Sequence, residues 1–231
     1  MRRFETALRT SPLPMPVICD IKLRSPGEGD LIRGRDPVAL AKTLIQAGAP
    51  ALSVVTEGRH YGGDLRLLEA LAKLGTPVLR KDFLSTPADL EETLRAGASA
   101  VLLIVSTMDE TLLRELYQGA LELGLEPLVE THTPAEMALA RNLAPRLVGI
   151  NNRDIGRLET DAGDVSGTER LAAAAPRGAL LIAESALVTP EDVSRARAAG
   201  AGAALVGTAI LRAGDPARAL RQLSLCEGGQ A

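Results

Sequence analysis

An α/β chain closed into one (β/α)8 barrel, the TIM-barrel architecture, is the fold class this sequence predicts. Three observations carry that prediction. Eight short apolar runs recur along the chain, each of a length that suits a strand buried on both faces. The segments between them are long enough for crossover helices and carry helix start signals, so consecutive strands are parallel and joined by right-handed connections. The whole chain is 231 residues, the usual size of one such barrel and short for two full α/β domains.

The runs fall at 16–22, 51–57, 77–81, 98–105, 126–130, 147–151, 179–184 and 203–207. Residues 1–16 form a short segment ahead of the first, and the domain is expected to span 1–231. Asp36-Pro37 opens the helix after the first strand, and Thr86-Pro87, Thr133-Pro134, Thr189-Pro190 and Asp215-Pro216 open later ones. In each a capping oxygen precedes a proline at the first helical position, where the missing N–H removes no bond. Thr133-Pro134-Ala135-Glu136 also has capping-box spacing. Gly48, Gly97, Gly124 and Gly200 end helices, since a left-handed terminal residue is least strained as glycine.

Composition narrows the function. The chain is 46% hydrophobic and 24% charged with net charge −3, an ordinary globule with ample core material. No apolar run reaches the roughly 20 residues of a membrane span, and residues 1–10 lack the apolar block of a secretory signal, so a cytoplasmic protein is expected. Cys19 and Cys226 are far apart and read as reduced thiols. Two histidines, His60 and His132, form no zinc cluster, so no metal is expected. Four aromatics (Phe4, Tyr61, Phe83 and Tyr117) on an acidic chain argue against nucleic acid.

Barrel enzymes place reactive groups where strands end and βα loops begin. Read in order, those ends carry Asp20 and Lys22, Thr56 and Glu57, Lys81, Leu102 through Val105, Glu130, Asn151, Glu184 with Ser185, and Gly207 with Thr208. Lysine is scarce, four against 22 arginines. Lys42 and Lys73 fall on helices and read as solvated. Lys22 and Lys81 fall at strand ends, where an ammonium can give up a proton and a guanidinium effectively does not. Any one of Lys22, Lys81 and Glu130 alone is equally well explained as a solvated rim residue. The three together, on three strands, point to acid–base catalysis. After strands seven and eight, Ala183-Glu-Ser-Ala186 and Val206-Gly-Thr-Ala209 offer backbone N–H groups beside a helix start, the usual phosphate site of such barrels. Arg153 and Asp154 read as a structural pair beyond strand six, and His60 and His132 as rim residues.

With these residues in hand, the sequence resembles the indole-3-glycerol phosphate synthase family. The likeness rests on Asp20-Ile-Lys-Leu-Arg-Ser-Pro26, Ser53-Val-Val-Thr-Glu57 with Tyr61-Gly-Gly63, Leu79-Arg-Lys-Asp-Phe83, Val101-Leu-Leu-Ile-Val105, Leu128-Val-Glu130, Gly149-Ile-Asn-Asn-Arg-Asp154, Ala183-Glu-Ser185 and Leu205-Val-Gly-Thr208. The resemblance implies ring closure of 1-(o-carboxyphenylamino)-1-deoxyribulose 5-phosphate with loss of carbon dioxide and water, a carbon–carbon lyase reaction of tryptophan biosynthesis. It makes Lys81 the general acid, Glu130 its partner acid or base, and Lys22 a group that engages the substrate carboxylate and shares in proton transfer, with Asp20 beside it completing the catalytic set. It puts Asn151, Glu184, Phe83, Leu102 and Arg153 on the substrate, and Ser25, Ser185, Ala186, Gly207 and Thr208 toward the phosphate. It implies no cofactor, a small phosphorylated substrate, and a monomer without membrane or nucleic-acid partners.

Four positions depart from the family pattern. Asp20 replaces a glutamate, Leu23 replaces a basic residue with Arg24 as the compensating cation, and Ala186 replaces a glycine. Only about 16 residues precede the first strand, where the family has a longer helical extension that covers the barrel. The alternatives these departures leave open are a divergent paralogue acting on a related phosphorylated substrate in specialised metabolism, or a catalytically weak binding homologue.

Overall fold

The structure, a computed structural model, describes residues 2–153 and 163–225. In chain order it runs α1 (Arg3–Arg9), β1 (Val17–Ile21), the short strands β2 (Arg24–Ser25) and β3 (Gly29–Asp30), α2 (Pro37–Gln46), β4 (Ala51–Val55), α3 (Leu65–Ala72) and β5 (Val78–Lys81). It continues with α4 (Pro87–Arg95), β6 (Ala100–Ile104), α5 (Glu110–Glu122), β7 (Glu126–Thr131), α6 (Pro134–Asn142) and β8 (Leu147–Asn151). Then come α7 (Ser166–Leu171), β9 (Leu180–Glu184), α8 (Pro190–Ala199), β10 (Ala203–Val206), α9 (Thr208–Arg212) and α10 (Pro216–Leu223). The ladder β1-β10-β9-β8-β7-β6-β5-β4 is parallel throughout and closes on itself, the expected eight-stranded barrel. β2 and β3 pair antiparallel within the loop after β1, a hairpin the sequence did not announce.

Helix starts follow the sequence closely. The side chains of Asp36, Thr86, Thr133, Thr189 and Asp215 each accept a backbone N–H at the start of their helix, with proline inside the first turn. Gly48, Gly97, Gly124 and Gly200 all stand at or just past helix ends with positive φ. The box expected at Thr133–Glu136 is a correction. Thr133 Oγ1 accepts Glu136 N at 3.2 Å, but the Glu136 carboxylate takes the N–H of His132 instead of that of Thr133. Full boxes form at Thr86–Asp89 and Thr189–Asp192, where the partner is the shorter aspartate.

Strand periodicity positions the site. Successive side chains point to opposite faces, and in β1 Val17, Cys19 and Ile21 pack outward with the helices while Ile18 joins the barrel interior. Leu79, Leu128, Leu147, Ile182 and Leu205 are interior residues on their own strands. Two residues farther along the same inner face stand Asp20, Lys81, Glu130, Gly149, Glu184 and Gly207. The alternation that fills the barrel with apolar side chains therefore ends in a ring of polar groups at the C-terminal mouth.

The opposite end is closed by α1. Phe4 and Leu8, at 0% and 1% exposure, insert into the interior cluster. The first N–H groups of the helix, on Phe4 and Glu5, are taken by the Glu126 carboxylate at 2.6 and 2.8 Å. Glu5 is bound by Arg146 at 2.6 and 2.8 Å and by Arg9 at 2.7 Å, while Arg3 and Arg9 reach the carbonyls of Gly75 and Gly178. Burial opposes charge on Glu5, but Arg146 and Arg9 outweigh it and hold the carboxyl below its usual range. The N-terminal residues thus plug the floor, the end away from the mouth. No helix among the described residues is long and apolar enough to cross a membrane.

Candidate active site

Lys81 is the centre of the mouth. It ends β5, and its Nζ lies 3.1 Å from Glu130 Oε2 on β7 and 3.0 Å from Glu184 Oε2 on β9. Both glutamates are fully buried. Burial works against the ammonium, but Glu130, Glu184 and Asp20 outweigh it and raise Lys81 well above its ordinary pKa. The two carboxyls are driven apart, the pattern that separates an acid from a base. Burial disfavours charge on Glu130 too, but Lys81 and His132 hold its carboxyl well below the usual range. Burial pushes Glu184 up to about 8; Lys81 opposes that shift and the Glu130 charge adds to it. The surroundings thus favour the ionised form of Lys81 and Glu130 and the neutral form of Glu184.

Neighbouring groups hold these side chains in place. Asn151 Nδ2 donates to Glu130 Oε1 at 3.3 Å, and Asn151 Oδ1 accepts Arg153 N at 3.0 Å. Gly149 sits beside Glu184, and a Cβ there would meet Glu184 Oε1 at 2.1 Å, so only glycine leaves room for the carboxyl. Asn152 clasps the end of β9: its N and Nδ2 donate to Glu184 O at 2.9 and 3.0 Å, and Nδ2 also reaches Ser185 O at 3.2 Å. Its Oδ1 accepts Thr168 N and Oγ1. The clasp braces strained backbone. Ser185 and Ala186 both lie in the left-handed region, at φ 63 and 55°, a conformation costing a non-glycine residue roughly 1–2 kcal/mol.

A cavity of about 380 Å³ opens beside Lys81, and Asp20, Lys22, Arg153, Ser185, Ala186, Gly207 and Thr208 are among its lining residues. Asp20 is 2% exposed and Lys22 4%, with Lys22 Nζ 5.9 Å from the Tyr61 ring centroid. Asp20 packs closely on Gly207, where a Cβ would stand 3.1 Å from it. At the rim Arg212 of α9 pairs with Glu28 from the β2–β3 loop. Five of the expected substrate and phosphate residues, Asn151, Glu184, Ser25, Leu102 and Phe83, are not among these lining residues, although Glu184 contacts Lys81 and Asn151 contacts Glu130. Ser25 is buried in β2, Leu102 is packed inside the barrel at 1% exposure, and Phe83 is 39% exposed with its N–H on Asp82 Oδ1. Asp154 and Cys226 lie outside the described residues.

Other strand-end residues have structural partners. Thr56 Oγ1 donates to Asp82 and accepts from Arg80, which is buried against α4 through Thr93 and Glu92. Glu57 accepts the N–H groups of Arg59, His60 and Tyr61 and faces the His60 ring at 3.3 Å. Arg24, the expected substitute for a base at Leu23, instead places its guanidinium on the Arg59 carbonyl at 2.7 Å. Sequence reasoning missed His132 as a member of the site and did not single out Gly149 or Asn152. The only signal was their place inside Gly149-Ile-Asn-Asn-Arg153 and beside Glu130. Among the described residues no group of three or more His, Cys, Asp or Glu side chains is arranged to hold a metal.

Comparison with known proteins shows the family. The family model described as indole-3-glycerol phosphate synthase matches residues 1–223. The chain is 45% identical over 208 residues to a protein of that name from Pyrococcus furiosus, covering 90% of each chain. It is 38% identical over 224 residues to one from Shouchella clausii, covering 96% of this chain and 87% of the other. Among solved structures, 3-hexulose-6-phosphate synthase from Salmonella typhimurium superposes with a TM-score of 0.72 at 14% identity, covering 91% of this chain and 97% of the other, a likeness of fold alone. By sequence over nearly its whole length, the chain belongs to the indole-3-glycerol phosphate synthase family.

Proposed function

We propose that the barrel mouth closes the indole ring of 1-(o-carboxyphenylamino)-1-deoxyribulose 5-phosphate on Lys81, Glu130 and Glu184. The chain is a carboxy-lyase of the family's type, serving tryptophan biosynthesis. The single observation carrying the residue assignment is one ammonium held within 3.1 Å of two buried carboxyls. In the reaction the ring carbon bearing the carboxylate adds to the ketone carbon, and the ketone oxygen takes a proton. Carbon dioxide leaves, and the electrons of its bond restore the aromatic ring. The new hydroxyl then departs as water while the carbon between it and nitrogen loses a proton, completing the indole.

Lys81 is the acid for the oxygen. Its raised pKa is no obstacle, because hydroxide, with a conjugate acid near 15.7 in bulk water, is a far stronger base than any lysine amine. Glu130, kept ionised, is the base. Glu184, neutral near pH 7, donates a hydrogen bond to the reacting oxygen side. Lys22 holds the substrate carboxylate, with Asp20 beside it on the cavity wall. Ser185, Ala186, Gly207 and Thr208 supply N–H and hydroxyl donors to the phosphate beside the start of α9, with Arg153 at the edge. Asn151 acts through Glu130. The same proposal makes the protein a single-domain monomer of the cytoplasm that needs no metal or organic cofactor, since each proton-transfer group is a side chain of the mouth.

Incubation with the carboxyphenylamino-deoxyribulose phosphate tests it. Indole fluorescence and release of carbon dioxide in equal amounts are expected, and absence of both overturns the proposal. Saturable binding without turnover would instead support a weak binding homologue.

A further inference from the structure

His132 stands just past Glu130, at the junction of β7 and α6, with its side chain 11% exposed. Glu136, in the first turn of α6, holds it twice: the carboxylate accepts the His132 backbone N–H at 2.8 Å and faces Nδ1 at 3.0 Å. Thr133 Oγ1, at 3.1 Å, fixes the other Glu136 oxygen. With Nδ1 pinned, Nε2 is turned into the barrel, 3.4 Å from Glu130 Oε1, and has no closer partner among the described residues. The Glu136 carboxylate that would have completed a capping box is spent on this ring.

We infer that His132 is a positioning residue for Glu130, keeping it in place and ionised through the step in which Lys81 has given up its proton. The inference rests on the reaction proposed above. In the resting site Glu130 Oε2 leans on the Lys81 ammonium, while Oε1 is shared by Asn151 and His132. Once Lys81 is neutral, the fully buried Glu130 loses its nearest cation. A buried carboxylate without one captures a proton, and the base needed for the closing deprotonation would be lost. His132 supplies the second cation. The charged and titratable groups around the ring are Glu130 on β7 with Lys81 of β5 behind it, and Glu136 on α6; β8 contributes the neutral Asn151. The turn Val105–Thr107, which packs against both β7 and α6, brings no ionisable side chain. Two flanking carboxylates outweigh burial and raise the imidazole to about 10, so it is cationic throughout the neutral range.

His132→Gln keeps a neutral donor and removes the charge; His132→Ala removes both. Expected are kcat losses of about tenfold and about 100-fold, KM within about twofold, and an acid limb of the kcat–pH profile moved up by about one unit, as for a carboxylate deprived of a nearby cation. Glu136→Gln should move the same limb the same way by less. A purely structural role would lower Tm without moving that limb. A His132→Ala enzyme with wild-type kcat and an unmoved limb overturns the inference. A second measurement separates it from the proposed reaction: in the substrate-free protein, 15N NMR of His132 should show a doubly protonated ring at pH 8 that becomes neutral at lower pH in Glu130→Gln. A neutral ring at pH 8 in the unsubstituted protein overturns the inference whatever the enzyme catalyses, whereas a wild type lacking ring closure but showing the protonated ring sinks only the proposed reaction.

Discussion

At the floor of the barrel Glu5 is buried between Arg9 and Arg146, whereas at the mouth Glu130 and Glu184 are both buried on Lys81. At the floor Glu5 is matched by two cations and Glu126 by two N–H groups of α1, and the apolar plug, Phe4 and Leu8, fills the interior. The mouth sets two fully buried carboxyls on one ammonium, where burial, with the Glu130 charge adding to it, raises Glu184 while Lys81 and His132 hold Glu130 low. Its backbone is also strained at Ser185 and Ala186. The comparison teaches that the two ends of one parallel sheet divide the work. Groups before the strands stabilise, and groups after them are held in states that a stability-driven fold would avoid.

The largest effect that tests this division is at the mouth. Lys81→Met should reduce kcat by about 10²–10⁴, the usual loss for a general acid, with Tm held near wild type; turnover near normal would remove Lys81 from the mechanism. The converse substitution is Phe4→Ala, which should destabilise by about 3–5 kcal/mol as a large buried aromatic leaves a cavity. Urea unfolding would measure it, and below the transition kcat should be unchanged. If kcat falls with stability, the floor and the mouth are not separable.

Glu184 gives a smaller effect with a definite sign. A carboxyl raised to about 8 in the folded state, from an ordinary value near 4.5, binds a proton that the unfolded chain has released. Its contribution to stability is fully present below about pH 4.5 and is lost as pH rises toward 8. Glu184→Gln, which cannot ionise, should therefore flatten the fall in stability between pH 5 and 8 in paired denaturation curves; an unchanged slope would mean the carboxyl is already ionised. The smallest effect is expected from Ala186→Gly. Relieving a left-handed alanine should raise stability by about 1 kcal/mol, read as a shift in the urea midpoint, and a lower midpoint would show that the loop holds this conformation without strain.

Legibility followed sequence separation. The five prolines that open helices, the four glycines that end them and the alternating strands are local rules, and each stands in the structure where the chain predicts it. The mouth residues were legible because strand period and strand order together put Lys81, Glu130 and Glu184 on one inner face. His132 was read as a rim residue because its partner choice is decided between Thr133, Glu136 and a carboxylate on the preceding strand. Leu102 lies near a strand end in the sequence, and the structure puts it on the inner face of its strand, among the interior apolar residues and in register with Leu128. Arg24 was expected to replace a missing cation, but the carbonyl of Arg59, 35 positions away, claims its guanidinium.

By itself, then, the sequence determined the barrel, its helix boundaries, its family and the strand ends on which reactive groups stand, because hydrophobic period, capping chemistry and backbone preference act over a few residues. Only the tertiary structure decided which end α1 closes, which of two buried glutamates keeps its charge and which backbone is strained beside the cavity. Those outcomes depend on charges and atoms brought within about 3 Å from positions dozens to more than 100 residues apart, where burial and Coulomb attraction compete steeply with distance.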